Sequence, residues 1–145
     1  MATPMTKPSH LTPSKFKKAQ VVALNELIEE EVTLLIDKTV VTCFASFCPY
    51  EIEVGKNYDV ELSLNLADHY QAQKADSINI FAERIENGFS YILYGMLHND
   101  TFQTFTLLGD EGVHYDHPDL NDSFIKLTVE RIDVAFQQNT IDYFR

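Results

Sequence analysis

Apolar and polar side chains alternate most cleanly over residues 58–66, where Tyr58, Val60, Leu62, Leu64 and Leu66 share one parity and Asp59, Glu61, Ser63 and Asn65 share the other. Successive side chains of an extended chain point to opposite faces, so this pattern predicts a strand with one dry and one wet side. Gly55-Lys56-Asn57 marks its beginning, because glycine and asparagine both tolerate the positive φ of a turn.

The neighbouring segments carry the same period with less clarity. Residues 20–28 contain both a helical stripe (Ala23, Leu24, Leu27, Ile28) and a β-branched pair (Val21-Val22), and the pair favours a strand. Val32, Leu34 and Ile36 alternate with Thr33, Leu35 and Asp37, and residues 39–47 are β-branched and aromatic on both faces, as in a central strand. Residues 67–76 lack a period of two and predict a loop or a short helical turn. Two strands over 78–86 and 89–97 flank Asn87-Gly88, the pair that favours a tight hairpin. Gly95 within the second predicts a bend or bulge. A further strand is expected over 102–108, then a long polar connection over 109–122.

Residues 124–136 change phase. Ile125, Leu127 and Val129 have one parity, Ile132, Val134 and Phe136 the other. A one-residue slip turns every side chain over, so the chain must bulge near Glu130-Arg131 or pass there from one sheet surface to another.

Seven or eight short strands with little helix predict a mainly β fold. The expected form is a single antiparallel β-barrel, of the oligonucleotide-binding (OB-like) type, with a β-sandwich as the alternative. The organisation expected is a disordered, proline-bearing tail over 1–15 and one domain over 16–145, with the apolar residues of 139–145 tucked against its end.

Charge sharpens this picture. The chain of 145 residues carries 22 acidic and 11 basic side chains, and four of the basic ones (Lys7, Lys15, Lys17, Lys18) precede residue 19. From residue 19 onward the balance is 7 minus 22, or −15. Such a body repels phosphate backbones and anionic membranes and attracts basic partners. No apolar run is long enough to span a bilayer, and no apolar leader is evident, so Cys43 and Cys48 read as reduced, structural thiols of a cytoplasmic protein.

Chemical motifs are sparse. His114, Asp116, His117 and Asp119 form the one cluster with metal-ligating side chains, but their spacing matches no metal motif, and a turn-rich loop explains their composition. No phosphate loop or dinucleotide fingerprint is present, and neither a catalytic residue, a resident metal nor a cofactor is expected. Tyr91, Tyr94 and Phe105 would be the residues to stack bases if the fold bound single strands, yet Lys38, Lys56, Lys74, Arg84, Lys126 and Arg131 are scattered in sequence, which makes nucleic acid an unfavoured partner.

The function expected is therefore a non-enzymatic acidic interaction protein that docks on a basic partner protein. Its sharper form is an immunity protein or inhibitor of a cationic nuclease toxin, with carboxylates presented where the enzyme takes phosphates. Glu29, Glu30, Glu31, Asp110, Glu111, Asp116, Asp119 and Asp122 are the expected contacts, because they are dense and lie in connections. A small metal-binding protein or enzyme using His114 and His117 is the alternative, together with an OB-like single-strand binder.

Overall fold

A computed structural model describes residues 16–76 and 78–138; the expected tail over 1–15 and the C-terminal residues 139–145 lie outside them. The fold is mainly β and is built as two sheets. Five strands make the first: β1 (Phe16–Leu24), β2 (Glu31–Ile36), β3 (Thr39–Phe47), β4 (Asn57–Asn65) and β11 (Arg131–Phe136). Each pairs with two others, in the order β1-β2-β3-β11-β4 and back to β1, so the sheet closes as a ring. All these pairings are antiparallel except that of β3 with β11.

The second sheet is inserted between β4 and β11. It comprises β5 (Ala72–Lys74), β6 (Phe81–Arg84), β7 (Tyr91–His98), β8 (Thr101–Gln103), β9 (Leu107–Gly109) and β10 (Ser123–Val129), in the order β5-β10-β7-β8-β9 with β6 also paired to β7. One curled sheet of seven or eight strands thus becomes eleven strands in two sheets among the described residues, and 67–76 contributes a short strand in place of a helical turn. The phase change in 124–136 is the passage between them. Ile125, Leu127 and Val129 are buried in the second sheet, Ile132, Val134 and Phe136 in the ring, and Glu130 alone separates the two strands. Its N–H donates to Asn65 O at 2.8 Å and its carbonyl accepts from Ser90 Oγ at 3.1 Å, which fixes the crossing point.

Both sheets turn their apolar faces to one continuous core that includes Leu34, Val60 and Val134 from the ring and Leu93, Leu97 and Leu127 from the second sheet. The alternation over 58–66 holds: Val60, Leu62 and Leu64 are buried, Tyr58 and Leu66 pack against the core, and Asp59 and Ser63 are exposed. Cys43 is buried, and burial followed by the charge of Asp133 pushes its thiol above the ordinary range, so it is an inert core residue. Cys48 is exposed.

Other local expectations change, among them the single strand over 102–108, which is two short antiparallel strands, β8 and β9. β1 runs Phe16–Leu24, not 20–28, because Asn25 Oδ1 accepts the N–H groups of Leu27 (2.8 Å) and Ile28 (3.1 Å) and bends the chain into a turn. Lys18 lies on that strand and pairs with Asp59 at 2.7 Å. The hairpin joining β6 and β7 is present, but its loop spans 85–90 and its positive φ falls on Glu86, not on Asn87 or Gly88. The Arg84 guanidinium closes it by donating to Gly88 O (2.8 Å) and Asn87 O (2.9 Å).

One buried hydrogen bond joins the sheets. On β3 the ladder with β11 begins only at Phe44, and the Thr42 N–H instead donates to the hydroxyl of Tyr91 at 2.7 Å. Tyr91→Phe leaves that N–H without its acceptor in a dry place, a loss of about 1–3 kcal/mol, read as a lower urea midpoint with an unchanged slope.

Candidate functional site

The acidic residues singled out by sequence fall into two groups at opposite ends of the second sheet. Glu31 Oε1 lies 3.8 Å from Arg84 Nη2, and Arg84 is paired with Tyr91 at the start of β7. Asp122 N donates to Leu97 O near the end of β7. An eight-residue strand separates the groups by roughly 20 Å.

The first group is the tip of the β1–β2 hairpin, Leu24-Asn25-Glu26-Leu27-Ile28-Glu29-Glu30-Glu31. The Asn25 turn fixes its first half. Glu31 N donates to Ile28 O at 3.1 Å, Asn25 Nδ2 to Glu31 Oε2 at 3.3 Å, and Ala45 N ties Glu30 O to β3 at 2.8 Å. With its backbone committed inward, the tip presents its side chains outward: Leu27 is 93% exposed, and Leu24 and Ile28 are exposed beside it. Glu26, Glu29 and Glu30 surround them, exposed and without an ion pair among the described residues, whereas Glu31 is half-buried. An ordered loop with an apolar centre and an anionic rim has the layout of a protein-docking surface.

The second group, over 110–122, is folded largely upon itself. A short helix, α1 (Val113–Asp116), and a 3-10 turn (Pro118–Leu120) replace the open loop that the polar composition predicts, because Val113 and Leu120 are buried beneath them. Asp110 is 2% exposed. Its Oδ1 accepts from Gly112 N at 3.0 Å, and its Oδ2 accepts from His114 N at 2.8 Å and His114 Nδ1 at 2.7 Å. Asp110 is thus a strut of the corner, and as a partner contact it is corrected: it presents no carboxylate to a surface. Asp116 accepts the Tyr70 hydroxyl at 2.6 Å, and Asp122 is bonded to His98 Nδ1. Burial and then the charge of Asp110 raise the Glu111 carboxyl above its ordinary value, while burial and then the Asp116 hydrogen bond raise the Tyr70 phenol. Asp119 is exposed.

His114 and His117 turn to different neighbours, the first to Asp110 and the second edge-on to the Tyr70 ring at 5.5 Å. Among the described residues no group of three or more His, Cys, Asp or Glu side chains gathers as a metal site.

Of the three aromatics named for base stacking, two are corrected. Tyr91 and Phe105 are core residues, 3% and 6% exposed, and Tyr94 is stacked on Phe81 at 4.0 Å. Of the scattered cations, Lys56 pairs with Glu53 (3.4 Å), Arg84 with Glu31, and Arg131 with Asp133 (2.7 Å) while lying 4.1 Å over the Phe44 ring. No helix among the described residues is long and apolar enough to cross a membrane.

Sequence reasoning missed Leu27 and Ile28, which it placed within a strand. The signal was Asn25, a residue whose side chain favours a turn two residues onward.

A family model matches residues 16–137, the span that holds all eleven strands, and the chain belongs to that family. The family is described as Uncharacterised conserved protein UCP019853. No curated protein and no solved structure matches the chain.

Proposed function

We propose that this is a non-enzymatic, cytoplasmic interaction protein whose β1–β2 tip docks on a basic partner protein, with Leu27 entering an apolar socket and Glu26, Glu29 and Glu30 meeting cations around it. The observation that carries this reading is the almost complete exposure of Leu27 among carboxylates that form no ion pair with the described residues, on a hydrogen-bonded loop. Burying such a leucine contributes about 1.5–3 kcal/mol, and a preformed loop loses little entropy on docking. The sharper form is an inhibitor or immunity protein that blocks a cationic nuclease toxin, since a rim of carboxylates competes for the groups that hold phosphates.

The ring is read here as an OB-like barrel. Five strands closing with a Greek-key crossover, and a loop between the first two strands projecting as the contact element, support that reading. Two free thiols suit a reducing compartment.

The test is capture of partners from the native cell on the immobilised chain at low ionic strength, followed by elution in rising salt. A basic protein that leaves as salt screens the rim is the expected result; recovery of acidic proteins alone, or of nothing, would overturn the proposal.

A further inference from the structure

The outer face of the second sheet carries an apolar patch that neither the core nor the acidic tip uses. On β7 the inward residues Tyr91, Leu93 and Leu97 are buried, so Tyr94 and Met96 point outward. Strand register sets their neighbours. Tyr94 lies between Lys126 of β10 and Phe81 of β6, and Met96 is flanked by Phe124 of β10. Phe81 and Tyr94 are stacked, and Phe81 and Met96 remain 41% and 40% exposed. Ile78 and Ile80, just before β6, are also exposed. A contiguous patch of this kind marks an interaction surface.

Its charges identify what covers it. Apart from the His98–Asp122 pair at the rim, the outward positions of β6, β7 and β10 carry one cation, Lys126, and one anion, Glu83. On a body whose balance from residue 19 is −15, this neutral face is where two copies of the chain approach without like-charge repulsion, and it lacks the carboxylates that would hold a basic partner. Lys126 and Glu83 form no ion pair among the described residues, and two strands and one pleat put their Cα atoms about 12 Å apart.

The geometry points to a second copy of this chain as the occupant, packed face to face about a two-fold axis that runs along β7. Such an axis exchanges the β10 and β6 sides, so Lys126 of each copy stands over the Phe81 ring of the other, one pleat from its Glu83. Two identical cation–π and ion-pair contacts then flank a buried centre of Tyr94 and Met96. A two-fold axis running across the strands places the two Lys126 residues side by side, and their repulsion disfavours it.

Sedimentation velocity of the full chain at about 100 μM and low salt tests the assignment. Wild type sediments as a dimer, and Phe81→Glu as a folded monomer by circular dichroism. Lys126→Glu and Glu83→Lys each weaken the dimer by about tenfold or more, because each sets like charges against each other twice. The double variant Lys126→Glu/Glu83→Lys regains most of the loss. A monomeric wild type, or a double variant no tighter than the singles, overturns the proposal. So does a monomer whose tyrosine fluorescence is quenched by added oligothymidylate, which would make bases the occupant.

Discussion

Replacing Gly95 by alanine is expected to abolish the stable fold or to cost at least about 4 kcal/mol. A Cβ at this position falls 2.2 Å from the carbonyl oxygen of Gln103 and 2.8 Å from both its carbonyl carbon and the Thr104 Cα, all of them backbone atoms with no rotamer through which to yield. The approach is close because the chain turns back between β8 and β9 directly over β7, where Thr104 Oγ1 donates to Tyr94 O at 2.9 Å. Glycine is needed here for space and not for a left-handed backbone, since Gly95 is absent from the positive-φ residues. Gly109→Ala is the control, as nothing lies within 4 Å of the Cβ it would gain. Thermal unfolding of the two variants side by side separates crowding from a general intolerance of substitution.

Asp110→Ala is expected to lower stability by about 2–4 kcal/mol, or on the order of 10 °C in Tm for a domain of this size. Three donors lose their acceptor at once: the N–H groups of Gly112 and His114 and the Nδ1–H of His114. Removing a buried carboxylate also removes the cost of desolvating it, which keeps the figure below the sum of three charge-assisted bonds. Asp110→Asn retains one acceptor oxygen and should fall between the two. Binding of a basic partner at the hairpin tip should be unchanged in whatever fraction of either variant is folded, because the tip lies at the other end of β7.

Much of the fold could be read from residue order because two physical signals are local. Parity along 58–66 placed Val60, Leu62 and Leu64 inside, and the phase change at Glu130 located the passage between sheets. Pairing partners are not local. Nothing in residues 39–47 or 131–136 announces that β3 and β11 run parallel, since that depends on a six-stranded sheet intervening between β4 and β11. Short strands were missed where burial is one-sided and brief, as at Ala72–Lys74.

The docking site was legible in part. Glu29 and Glu30 stand out as charge, and the structure leaves them exposed. Asp110 looked the same in sequence, and only the folded corner shows that its carboxylate is enclosed. Leu27 was hidden for the opposite reason: hydrophobicity argues for burial, and the Asn25 turn that expels it acts through side-chain hydrogen bonds that periodicity does not register.

Whether the tip or the 110–122 corner meets the partner decides the account. The most direct measurement compares capture of the basic partner by Leu27→Asp and by Asp119→Asn/Asp122→Asn against the parent chain. The account predicts that the first loses about a hundredfold in affinity while the second binds as the parent does. Undiminished capture by Leu27→Asp, or loss confined to the corner variant, would contradict it.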